Sequence, residues 1–168
     1  MVELTIDTCV LLDGSGKGVA HFYESSLRLL REFETDQRLR ATIDEQGFVT
    51  HEYTSNINAT MFAAAWLKQF SGRITKIKTC PLPQGLRAKL DELHFSIKDR
   101  RFVQVAIASG SKIIVTRDPD YSPDVMRNLG KHCGIRVFTA EEALAYIKAL
   151  PPEEPIPAIA RPEEPRGE

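Results

Sequence analysis

The sequence predicts an α/β domain of three layers, α/β/α, around a central, mostly parallel twisted sheet. Short apolar or β-branched runs alternate with stretches of helical spacing, the pattern of parallel strands joined by right-handed crossovers. The chain has 168 residues, 42% hydrophobic and 27% charged, which suits one domain with a real core. In such folds ligands bind at the carboxyl ends of strands. Two acids, Asp7 and Asp118, follow directly on predicted strands.

Val2, Leu4 and Ile6 alternate with Glu3 and Thr5, the period of a strand ending at Asp7. After a Gly-rich turn, Val19, Phe22, Tyr23, Leu27, Leu30 and Phe33 recur at helical spacing and predict one amphipathic helix. Residues 38–43 read as a short strand and 44–47 as a turn, with a helix through Phe48, Glu52 and Ile57. A second helical stretch covers about 59–70, and an extended piece over 74–80 is closed by Pro81 and Pro83. Leu86, Leu90 and Leu93 mark another helix. Ser96 and Asp99 fit a capping pair, which places Asp99 in a first helical turn with Phe102, Val103, Ala106 and Ile107 as the apolar face. Residues 112–116 form a β-branched, buried type of strand stopped by Asp118-Pro119-Asp120. Val125, Met126 and Leu129 predict a short helix before Gly130 or Gly134, and 135–138 a last strand. Thr139 and Glu142 form a capping box for a final helix that Pro151 and Pro152 end. Residues 1–150 are thus read as one domain. Residues 151–168, rich in Pro and Glu, are read as a disordered tail.

No window approaches the roughly 20 apolar residues of a membrane helix, and no basic segment precedes an apolar signal core. Cys9, Cys80 and Cys133 are odd in number and widely spaced, so neither a disulfide framework nor a zinc knuckle is indicated, and a reducing cytoplasm is expected. The net charge is -1, but the tail carries five acids and two bases, leaving the body at +2. That balance neither requires nor excludes nucleic acid, since a local basic groove can bind phosphates.

Four acids on four separate elements carry the chemistry: Asp7, Glu52, Asp99 and Asp118. Hard divalent cations take carboxylate oxygens, and phosphodiester hydrolysis at neutral pH uses such ions to activate water and neutralise developing charge. Each acid alone has a plainer role: a turn for Asp7 and Asp118, a solvated helix position for Glu52, a capping box for Asp99.

The runs Leu4-Thr5-Ile6-Asp7-Thr8-Cys9-Val10-Leu11-Leu12, Asp99-Arg100-Arg101-Phe102-Val103-Gln104-Val105-Ala106 and Ile114-Val115-Thr116-Arg117-Asp118-Pro119-Asp120-Tyr121 resemble the PIN-domain family of nucleases, as does the stretch from Gly134 to Glu142. The likeness spans nearly all of residues 1–150. It implies a PIN-like fold and a Mg2+- or Mn2+-dependent endonuclease, usually of RNA, cutting by in-line attack of a metal-activated water. It also implies that Asp7, Glu52, Asp99 and Asp118 are catalytic metal ligands, with Asp120 as an auxiliary acid. Asp44 and Glu45 compete with Glu52 for its place, and Glu52 is chosen because it lies inside a helix before Tyr53. The insertion from about Asn58 to Leu93 exceeds that of the smallest PIN toxins, so the resemblance leaves open a toxin or a defence effector. It also leaves open an antitoxin or other operon-encoded partner, and a homodimer.

Lys98, Arg100, Arg101 and Arg117 flank the acids and are candidate phosphate contacts, with an ordinary charged surface as the alternative. Gly14-Ser15-Gly16-Lys17-Gly18 resembles a phosphate loop only loosely: a Walker A motif requires Gly where Leu11 stands and Ser or Thr where Gly18 stands. The competing functions are a catalytically inactive PIN-like module that binds nucleic acid or protein, and a phosphoaspartate enzyme using Asp7 as nucleophile. A dehalogenase-type phosphatase would need Asp at Cys9.

Overall fold

A computed structural model of the chain describes residues 1–151; apart from Pro151, the tail expected over 151–168 lies outside the described residues. Five strands, β1 (Val2–Ile6), β2 (Leu39–Asp44), β3 (Ile74–Ile77), β4 (Ile113–Val115) and β5 (Arg136–Phe138), form one sheet in the order β3-β2-β1-β4-β5. Every pairing is parallel, with Thr5 opposite Ile114 and Leu4 opposite Ala41. Because β2 and β3 lie on one side of β1 while β4 and β5 lie on the other, the order reverses between β1 and β4. The carboxyl ends of those two strands therefore border the crevice where such sheets bind ligands.

Among the described residues eight α-helices cover the sheet: α1 (Thr8–Gly14), α2 (Tyr23–Thr35), α3 (Phe48–Asn56), α4 (Phe62–Gln69), α5 (Gln84–Glu92), α6 (Asp99–Ala108), α7 (Pro123–Cys133) and α8 (Ala140–Ala149). Strand residues alternate between faces, and the core divides accordingly. Leu4, Ile6, Ile113 and Val115 join Leu29, Leu30 and Phe33 of α2 and Ala143, Leu144 and Ile147 of α8. Ile114 joins Leu86 and Leu90 of α5, Val103 and Ala106 of α6, and Val125 and Leu129 of α7. The result is the three-layer α/β/α architecture. The buried side chains of Thr5 and Thr42, neighbours on β1 and β2, satisfy each other by a 2.8 Å hydroxyl contact.

Several predicted elements differ from the observed ones. Residues 8–13, assigned to no element by the sequence, form α1 together with Gly14 of the expected turn, because extended Asp7 is its N-cap and turns the chain within one residue. The long helix begins at Tyr23 rather than Val19, since Ala20–Phe22 make a 3-10 turn. The fourth strand loses Lys112, whose φ of 52° is left-handed. The seventh helix runs through Gly130 and stops at Gly134, which takes the left-handed conformation of a C-cap (φ 69°). Among the described residues no helix is long and apolar enough to cross a membrane.

Candidate active site

The Asp7 N–H donates to the Val115 carbonyl at 2.9 Å, docking the end of β1 beside β4. Its carboxylate accepts the Thr116 hydroxyl at 2.5 Å, and that hydroxyl oxygen accepts the Asp118 N–H at 2.9 Å. One threonine thus couples the Asp7 carboxylate to the backbone that carries Asp118. Asp7 is only 5% exposed. Burial pushes its carboxyl above the ordinary range; the hydrogen bond from Thr116 opposes this, and the Asp118 charge adds to it.

Asp118 accepts the Asp120 N–H at 2.8 Å, which folds the Asp-Pro-Asp turn back on itself. Asp99, half-buried in the first turn of α6, has its carboxyl pushed up to about 6 by burial, then by the charges of Asp7 and Asp118; a hydrogen bond with Ser96 opposes the rise and Asp120 adds to it. Tyr121, buried with its ring edge-on to Phe95, is raised by burial and then by Asp7, Asp99 and Asp118. Asp7, Asp99, Asp118 and Asp120 therefore share one electrostatic neighbourhood. Asp118 also lines an open trough of about 400 Å³, together with Thr116, Arg117, Tyr121, Phe138 and Glu142 among others.

Glu52 is half-buried on α3 and its carboxylate accepts from the Asn56 amide at 3.2 Å. The next residue, Tyr53, is buried and donates its hydroxyl to the Ile6 carbonyl, tying α3 to the strand end before Asp7. Of the two competitors for Glu52, Asp44 is buried and spends both oxygens on the N–H groups of Phe48 and Val49 (2.8 and 2.7 Å), which starts α3. Glu45 is exposed.

Among the described residues, no three His, Cys, Asp or Glu side chains stand close enough together to enclose a metal ion. The donor chemistry nonetheless fits a hard cation. Asp7, Asp99, Asp118 and Asp120 offer carboxylate oxygens, and the like-charge contribution that adds to burial in raising Asp99 is what a divalent ion relieves.

The four bases divide into two kinds. Arg117, which lines the trough, has its guanidinium taken by Asp13, whose fully buried carboxylate accepts Nε at 2.5 Å and Nη2 at 3.0 Å, while the guanidinium carbon lies 5.5 Å from the Phe22 ring centroid. Arg100 pairs with Asp91 at 2.6 Å and donates to the Phe95 carbonyl. Lys98 and Arg101 stay exposed, and no carboxylate among the described residues pairs with either. Sequence reasoning missed Asp13 and the hydroxyl of Thr116. Only the latter had a local signal, the Thr-x-Asp ending of the strand.

The Gly-rich loop is a helix terminus. The N–H groups of residues 15 to 18 donate to carbonyls of Leu11, Leu12 and Asp13, and that of Val19 donates to the Asp13 carboxylate at 2.7 Å. With these amides turned inward, none is left to cradle a phosphate. Gly18 passes so close to the Asp13 carboxylate that a Cβ there would collide with it.

No family model matches the chain, and no curated protein matches it as a relative.

Proposed function

We propose that the chain is a metal-dependent endonuclease acting on RNA, with Asp7, Asp99 and Asp118 as principal ligands of Mg2+ or Mn2+ and Asp120 beside them. The supporting observation is the gathering of these acids beside the carboxyl ends of β1 and β4, where the Thr116 hydroxyl joins the Asp7 carboxylate to the Asp118 backbone and where Asp99 is raised to about 6 by burial first and by the charges of Asp7 and Asp118 next. When bound, the ion would activate water and neutralise charge developing on the scissile phosphate. The protein's residues supply the frame. Thr116 holds Asp7 and the Asp118 turn in register, α6 presents Asp99, and the exposed Lys98 and Arg101, neither paired with a carboxylate among the described residues, would meet phosphates of the strand. Glu52 would be a fourth ligand only by giving up its contact with Asn56. The three cysteines are all free, which supports a reducing cytoplasm as the working compartment.

Asp7→Asn and Asp118→Asn keep side-chain size but remove a charge and a ligand. Cleavage of a labelled RNA by either variant should fall further than the roughly 10- to 100-fold expected when only an outer-shell partner is lost. RNA affinity should hold or rise because repulsion is weakened. Melting curves establish that the variants are folded. Parent-like cleavage by both, or robust cleavage by the parent protein in excess chelator, would overturn the reading.

A further inference from the structure

Phe48 opens α3 at the carboxyl end of β2, on the same edge of the sheet as Asp7 and Asp118. Its position is set by the backbone before it. Gly47 is left-handed (φ 84°), and Asp44 holds the N–H groups of Phe48 and Val49. The ring points outward and Phe48 is 48% exposed, unusual for a large apolar side chain in a domain that buries Phe33, Phe70, Phe95 and Phe102. Arg101 of α6 lays its guanidinium carbon 4.1 Å from the ring centroid. Its Nη1 donates to Gln104 at 3.3 Å, and Gln104 in turn donates to the Cys80 carbonyl at 3.2 Å.

The stack and the acids share α6: Tyr53 and Phe102, with centroids 6.5 Å apart, pack α3 against α6 below the stack, and Asp99 lies in the first turn of the same helix on a different face from Arg101. The charges nearest along the chain are Glu45 and Glu52 on the α3 side and Lys98, Asp99 and Arg100 on the α6 side; Arg100 is taken by Asp91. Arg101 is therefore an exposed cation with no carboxylate partner among the described residues, seated over an exposed aromatic ring.

We propose that Phe48 and Arg101 form a stacking subsite for one unpaired nucleobase of a single-stranded nucleic acid led toward the acidic cleft. An aromatic ring takes any base through its face, and the adjoining guanidinium contributes cation–π contact and a charge for the neighbouring phosphate. A base in a duplex cannot reach the ring without leaving its stack, so the subsite selects single strands. The assignment rests on the nuclease reading for its direction, but its test needs no cleavage.

The test measures binding of a fluorescent single-stranded RNA, and of the same sequence as a duplex, by the full chain carrying Asp7→Asn. Phe48→Ala should weaken single-strand binding about tenfold and duplex binding by less than about twofold. Phe48→Trp should keep the affinity, and its emission should be quenched by the single strand, whereas Trp66 is buried with its indole N–H on the Leu30 carbonyl. Arg101→Ala should weaken binding and lower the salt slope by about one. Phe48→Leu separates the occupants: it keeps an apolar surface for a protein partner but cannot stack a base. Leu binding RNA as well as Phe, or Ala losing nothing, would overturn the subsite. If Asp7→Asn cleaves like the parent, the nuclease reading fails while the stacking result stands by itself.

Discussion

Asp13 has no exposed surface, and its charge is met by one guanidinium 104 positions away in sequence. Removing one member of a buried ion pair leaves the other uncompensated, at a typical cost of about 3–5 kcal/mol. Because Arg117 keeps some solvent contact, Arg117→Ala should sit at the lower end of that range and Asp13→Ala should be partly relieved by the same solvent. For a domain of this size each kcal/mol moves the melting temperature by about 2–4 °C, so either single variant should melt on the order of 10 °C lower. The double variant should cost less than the two singles summed. If Arg117→Ala melts within a degree of the parent, the pair does not hold the loop, and Arg117 is available to the substrate as its sequence position suggested. Local pattern reading had no access to this pair: nothing near Asp13 in the chain marks its partner, and only the adjacency of β1 and β4 brings them together. Thr116 is an intermediate case. The Thr-x-Asp ending was legible, but not the direction of its hydroxyl, which follows from register.

Start and stop signals were legible unevenly: Ser96 and Asp99 do not cap α6, whose N-cap is Lys98 with no side-chain bond, because Ser96 turns its hydroxyl to the Lys98 N–H. The capping box of α8 formed as the sequence predicts, with the Thr139 hydroxyl accepting the Glu142 N–H at 3.2 Å and the Glu142 carboxylate accepting the Thr139 N–H at 2.8 Å. By contrast α1 continues the apolar run of β1 without Gly or Pro, so no change of period separates them, and the capping bond to Cys9 is long at 3.4 Å. The fold class needed only the alternation of runs. The acids at two strand ends followed from it, whereas the capping role of Asp44 and the Glu52–Asn56 contact depend on side-chain geometry that period cannot encode. Because α8 packs along α2, its cap should contribute to global stability. Thr139→Ala should lower stability by about 1 kcal/mol, read as a shift of the denaturation midpoint at constant m-value. A shift of Thr139→Ala no larger than that of an exposed Ala substitution mid-helix would mean that α8 is held by packing alone.

Across the whole molecule, the strand order that puts β1 beside β4 also gathers like charges in one place, and this couples stability to pH. The Asp99 carboxyl has an ordinary value of 3.8 and is pushed up to about 6 in the folded protein, and Asp7 is raised as well. A group whose folded value exceeds its unfolded value holds its proton more tightly in the native state, so between 3.8 and about 6 the native state binds more protons than the unfolded chain. Stability from this source is greatest below the window and declines as pH rises through it. Metal-free protein should therefore lose melting temperature across this interval, and Asp99→Asn, which cannot titrate there, should show a shallower loss. A divalent cation bound by the ionised acids reverses the preference, because it stabilises the charged form and binds the native state selectively. Mg2+ or Mn2+ should then raise the parent's melting temperature more at pH 7.5 than at pH 5, with a smaller increment in Asp99→Asn at both. Equal increments for parent and variant at the two pH values would remove Asp99 from the ion's ligands. An Asp99→Asn profile parallel to the parent's in chelator would show that Asp99 does not titrate above its ordinary range in the folded protein, and that neither burial nor its acidic neighbours raise it.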